Sequence, residues 1–265
     1  LSLFLFLSQL INAQNVTYPH NGVDDFRQGY YALTNADVQV SPEKLIEDAT
    51  LVLKEGRIES VKSGKDVPNG AIEIDMEGMT LYPAFVEIYG DYGSPEIKSS
   101  DKGWNDPQVF SSTKKGAYGW NEAIMPEFNT FEEFETSKKD AESLRKSGFG
   151  TVVSHRKDGI ARGTGVAVLT SDQIEQEVIL KDKAAAFFSF DPGKMTNMRY
   201  PSSLMGAIAL IRQTYYDAEW YENGGKDIEF NISLQRFNDL KALPAIFEAE
   251  DLLDIFRIAK IGEEF

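Results

Sequence analysis

The hydrophobic pattern of this chain changes period near residue 80, and that change limits the folds open to it. Before it, Ile72, Ile74 and Met76 alternate with Glu73, Asp75 and Glu77, the period of two expected of a strand with one buried face. Leu51, Val52 and Leu53 run into Lys54, Glu55, Gly56 and Arg57, a turn whose glycine can take positive φ, and the next strand follows from Ile58 to Val61. Beyond residue 80, β-like runs alternate with helical spacings. Phe131, Phe134, Ala141 and Leu144 recur near the helical repeat and Gly148 stops them, after which residues 150–155 form a β run. Residues 163–170 and 178–190 read as further strands. Ser202 or Ser203 can cap a helix whose Leu204, Ile208, Ile211, Tyr215 and Ala218 share a face, ending before Gly224. Residues 244–249 then read as a buried strand and 251–259 as the helix behind it. A strand-rich start followed by βα alternation points to an α/β chain of barrel type.

Specific motifs carry a resemblance. The segments Lys54–Val61 and Ala71–Met79, followed by Pro83, Ala84, Phe85, Val86, Glu87, Ile88, Tyr89, Gly90 and Asp91, resemble the opening of the metal-dependent amidohydrolase superfamily, of the imidazolonepropionase-like kind. There a small β domain leads into a first barrel strand that reads Pro-Gly-Phe-Ile-Asp-x-His-x-His, whose two histidines bind the catalytic metal. The strand at residues 150–155 and the segment ending Ile246, Phe247, Glu248 and Ala249 resemble later strands of the same family. The resemblance runs from about Asp48 to Phe265 and leaves residues 91–129 unmatched. It implies a small N-terminal β-sandwich-like domain at 14–80 and an incomplete (β/α)8 TIM-like barrel at 81–265, with an insert at about 92–130.

The same alignment of motifs removes the family's ligands. Tyr89 and Asp91 stand where the first strand has histidines, and Glu248 stands where a later strand has another. A divalent metal such as zinc, which the family would imply, needs several neutral imidazoles and carboxylates converging at the strand ends. The chain has two histidines and no cysteine. His20 precedes the barrel, and His155 closes a strand at the end where barrel sites form. Asp91, His155 and Glu248, with Glu87 nearby, are the residues left to hold a hard ion through oxygen, and no residue is assigned a catalytic role. The run Arg162 to Gly165 has too few glycines for a phosphate-binding loop and reads as a turn.

Composition narrows the partners. A net charge of −15 disfavours nucleic acid and anionic membranes, which need clustered Lys and Arg. The absence of cysteine excludes disulfides and thiolate nucleophiles and suits an exported bacterial protein. Leu1 to Ala13 is a short apolar run ending in a small residue, as a secretory signal does, and is too short to span a bilayer. The expected location is therefore periplasmic or extracellular. The stretch after Leu81 is shorter than the about 250 residues of a complete barrel, so the chain reads as part of a longer polypeptide, with the remainder of that chain or a second amidohydrolase-like domain as its partner.

Three functions remain open. The first is a scaffold or partner half of a longer hydrolase acting on non-peptide C–N bonds, with its own ligands degenerate. The second is an active metal-dependent hydrolase with an altered carboxylate and histidine site. The third is a periplasmic binding module that holds a small molecule or peptide with the aromatic insert from Trp104 to Trp120, and Tyr200, Tyr215, Tyr216, Trp220 and Tyr221 could line a groove.

Overall fold

The computed structural model describes residues 29–100, 109–194 and 198–265. The expected signal segment at 1–13, His20 and Trp104 lie outside them. The chain divides after Pro83 into two compact units.

The first unit is one five-stranded sheet built from β1 (Tyr30–Ser41), β2 (Lys44–Lys54), β3 (Arg57–Ser63), β4 (Ile72–Asp75) and β5 (Thr80–Leu81). The order is β3-β2-β1-β4, with β5 also pairing β1. The β2–β3 turn forms as its sequence requires: Glu55 and Gly56 have φ of 50° and 71°, the two positive values of a tight hairpin whose twist matches its strands. Ala32, Thr34, Ala36 and Val38 alternate inward along β1. Among the described residues a single sheet stands where a sandwich was expected. The period-two segment of β4 does form a strand, but Ile72 and Ile74 are exposed, because β4 pairs with β1 on one side only.

The second unit carries β6 (Phe85–Gly90), β7 (Phe149–Ser154), β8 (Ala161–Leu169), β9 (Ile179–Phe188) and β10 (Ala245–Phe247) in the order β10-β9-β8-β7-β6. Parallel β6–β7 and β9–β10 pairs flank an antiparallel meander β7-β8-β9. Strict βα alternation is thus broken at its centre. β8 runs against its neighbours and is almost wholly buried, which explains its continuous run of small and apolar residues.

Helices fill the remaining expectations with two changes. The helical spacing around residues 131–144 is split into α1 (Thr130–Glu133) and α2 (Lys138–Lys146), because Ser137 breaks the run and caps α2 through its side chain. The one-turn α3 (Glu175–Val178) links β8 to β9. Ser203 caps α4 (Leu204–Glu222), which buries Ala207, Leu210, Ile211, Thr214, Ala218 and Tyr221. Asn231 caps α5 (Ile232–Leu240), a helix that the sequence pattern did not announce. Asp251 caps α6 (Leu252–Glu264). That last helix buries Asp254 and Ile261 and leaves Leu252, Leu253, Ile255 and Phe256 exposed, the reverse of ordinary amphipathic burial.

The insert is part of this scaffold from Val109 onward. Ile124 and Asn129 form bridges to β8. The buried Asn121 donates to the Tyr200 carbonyl at 2.9 Å and accepts from Ala123 N–H at 3.0 Å. Ala123 and Ile124 join the core cluster of Ile160, Phe188, Leu210, Ile211 and Phe237. No helix among the described residues is long and apolar enough to cross a membrane.

Candidate functional site

The carboxyl ends of β6, β7, β9 and β10 meet at one end of the second sheet, and because β8 runs the other way its first residues arrive there too. Ligand sites of α/β architectures form at this end. Its centre is Arg162.

Local structure explains how Arg162 gets there. The β8–β9 register shifts between Ala161 and Thr164, so Arg162 and Gly163 occupy a bulge, a device that re-aims a side chain. Gly163 has φ of 79°, and a Cβ at that position would collide with the Phe128 carbonyl oxygen. The bulge therefore requires glycine next to the arginine. What read as a turn is a bulged strand.

The Arg162 side chain is 3% exposed, and each of its three guanidinium nitrogens donates a hydrogen bond. Its Nε donates to the Gly159 carbonyl at 2.9 Å, Nη1 to the Tyr89 hydroxyl oxygen at 2.7 Å, and Nη2 to Glu248 Oε2 at 2.7 Å. Tyr89 lies on β6 and Glu248 follows β10, the two edges of the sheet. In a flat sheet these edges would stand about 19 Å apart, four spacings of roughly 4.8 Å. One guanidinium reaches side chains from both because the sheet is curled into a half-barrel.

The hydroxyl and the carboxylate complete a closed network. Burial raises the Tyr89 pKa to about 12; the Arg162 charge opposes this, and the hydrogen bond from Tyr89 to Glu248 supports it. Tyr89 therefore keeps its proton and donates it. For Glu248, burial pushes the carboxyl up, but hydrogen bonds from Tyr89 and Ser189 and the charge of Arg162 outweigh it, and the group sits below the ordinary carboxylate value. Arg162 and Glu248 are an ion pair across the site, with Tyr89 as its third member.

His155 is placed differently. Its ring is fully buried, stacks on Phe187 at 3.8 Å with an interplanar angle of 8°, and lies 4.5 Å from the Tyr89 ring. Neither ring nitrogen has a hydrogen-bond partner. Burial, then the charges of Arg162 and Lys157, lower its pKa to about 3. The imidazole is neutral and packed as an aromatic ring.

Asp91 points away to solvent. Its carboxylate is 3.6 Å from Lys157 Nζ, and the lysine also lies over the Tyr89 ring at 5.1 Å. Glu87 accepts from the Tyr89 backbone N–H at 2.8 Å. Among the described residues no group of three or more His, Cys, Asp or Glu side chains is arranged to hold a metal. The set expected from sequence, Asp91, His155 and Glu248, is therefore not assembled as ligands: Asp91 is exposed and paired with a lysine, His155 is sealed between rings, and Glu248 is committed to Arg162. A divalent ion does not fit beside a buried guanidinium that already neutralises the nearest carboxylate.

Arg162, Phe187 and Ser189 were missed in the sequence. The contacts of Arg162 cross 73 and 86 residues to Tyr89 and Glu248. The legible signal was a buried-type strand beginning with an arginine beside a glycine.

Comparison with known proteins supports the architecture. A solved structure of an amidohydrolase from Thermotoga maritima MSB8 is similar to this chain with a TM-score of 0.66 at 20% identity, over 88% of this chain and 62% of that one. The chain thus has an amidohydrolase-like fold and spans less than two thirds of that protein's length. No family model matches it, and no curated protein does.

Proposed function

We propose that this chain is an amidohydrolase-like scaffold or partner half in which an arginine takes the position of the catalytic cation. The observation that carries the reading is the Arg162 guanidinium, bonded at 2.7 Å to both Tyr89 and Glu248. These are two of the positions where the family resemblance implies histidine ligands. A guanidinium supplies fixed positive charge and oriented N–H donors. It has no exchangeable coordination position at which water could be bound and deprotonated. Its charge holds two sheet edges together, a structural task, and leaves the neutral, ring-sealed His155 without a partner for proton transfer.

In this reading the partner is further amidohydrolase-like polypeptide, from a longer chain or a second domain. The exposed face of α6 and the free edge of β10 support it, since no further strand pairs with β10 among the described residues. Export to the periplasm remains part of the proposal through the sequence of residues 1–13 alone.

The experiment is an amide-hydrolysis assay on a panel of cyclic and linear non-peptide amides with added zinc or manganese. The reading expects no turnover above buffer. Metal-dependent turnover that disappears in Asp91→Ala and Glu248→Ala proteins would replace it with the altered-site hydrolase.

A further inference from the structure

We infer that this protein has a second site, independent of the Arg162 network, that binds a small organic cation of the alkylammonium class. Between α4 and the segment carrying Trp120 lies a cavity of about 250 Å³. Trp120 lines one part of it and Trp220 of α4 another, with Ile124 and Leu210 contributing apolar surface. Asp217 and Glu229 supply two carboxylates, and no lysine or arginine lines the cavity among the described residues.

The aromatic residues are the informative part. Trp120 and Trp220 are two of the three tryptophans in the chain, and each remains 46% exposed. Exposed indoles forgo the large burial that normally places tryptophan, and two at one cavity mark a binding surface. Neither ring is loose: Trp120 stacks on Tyr200 at 6.0 Å with an interplanar angle of 20°, and Trp220 packs against Gly225. An indole face is the best aromatic partner for a cation, and the half-buried Asp217 and exposed Glu229 beside it add an attraction that salt screens in part. The cavity offers two indoles, two negative charges and no competing basic group.

Charge and size define the ligand. A neutral aromatic or sugar would use the indoles but draw nothing from the charges of Asp217, whose Oδ1 accepts from Gln213 at 2.6 Å, and of exposed Glu229, whereas an anion would be repelled by both. A trimethylammonium-sized group fits the volume and lacks the N–H donors that would demand a denser set of acceptors. The sequence had flagged the aromatic insert and the tyrosine- and tryptophan-rich helix separately. The fold brings Trp120 and Trp220 to the same cavity.

The test is a titration of the full chain with choline at constant ionic strength, following the indole N–H resonances by NMR. The matched control is 3,3-dimethylbutan-1-ol, which has the same shape and no charge. The expected result is a saturable shift of two indole resonances by choline, with the neutral alcohol at least about tenfold weaker. Trp120→Ala should weaken choline by about tenfold and the surface substitution Glu229→Gln by a few-fold, the latter without change in thermal midpoint. Equal binding of choline and the alcohol would overturn the assignment, as would indole resonances unmoved by choline at tens of millimolar, or a Glu229→Gln protein that folds and binds choline as well as the parent.

Discussion

Two ion pairs lie beside the end of β6, and their contrast shows which of them holds the second sheet together. Tyr89 and Asp91 are neighbours at the end of β6, yet Tyr89 turns into the Arg162–Glu248 network while Asp91 meets Lys157 outside. In the inner pair the Arg162 side chain is 3% exposed and Glu248 33%, at 2.7 Å; in the outer pair Lys157 is 33% exposed and Asp91 69%, at 3.6 Å. Exposed pairs contribute about 0–1 kcal/mol, whereas removing one partner of a buried pair costs about 3–5 kcal/mol because a charge is stranded. The inner pair therefore governs the architecture, and the outer one is a surface contact.

The sharpest break in that contrast is Glu248→Ala, which leaves the Arg162 guanidinium buried without its anion. Chemical denaturation should show a loss of about 2–4 kcal/mol, below the full cost of a wholly buried pair because Glu248 is itself one-third exposed. A loss below about 1 kcal/mol would place the inner pair in the same class as the outer one.

Next is acid. A histidine with an unfolded pKa of 6.5 and a folded value of about 3 binds more protons when unfolded. Its contribution is complete above pH 6.5 and is lost as pH falls toward 3, by several kcal/mol in order of magnitude. Glu248, with its pKa lowered, adds loss in the same direction below the ordinary carboxylate value. His155→Phe should flatten the slope between pH 6.5 and 4.5 and cost little at pH 7, because neither imidazole nitrogen makes a bond there to lose. Strong destabilisation of that variant at neutral pH would assign the ring a polar role.

A smaller effect is expected of Tyr89→Phe, which removes the hydroxyl that accepts from Arg162 and donates to Glu248. Thermal unfolding should register about 1–3 kcal/mol. The smallest belongs to the outer pair: Asp91→Asn should change stability by less than about 1 kcal/mol, and high salt should abolish the difference.

The elements that position this site were legible in the sequence to the extent that their patterns are local. The hairpin at Glu55 and Gly56, the cap at Ser203 and the runs that became β6 to β10 are each determined within a few residues. The antiparallel course of β8 was not legible, because a buried strand shows the same continuous apolar run in either direction. Nor was the site. Asp91, His155 and Glu248 were visible as chemical types at strand ends, but their fates depend on Arg162, whose bulge aims it at partners 73 and 86 residues away. The outward apolar face of α6 was not legible either: the buried Asp254 accepts from Arg257 at 2.7 Å, while Leu252, Leu253, Ile255 and Phe256 face outward.

The proposed function has the Arg162 guanidinium standing where a metal would. Equilibrium dialysis of the full chain against micromolar zinc, followed by elemental analysis, tests it directly. The account predicts far less than one zinc per chain, for the parent and for Glu248→Ala alike. One tightly held zinc per chain in the parent, lost on Glu248→Ala, would contradict it.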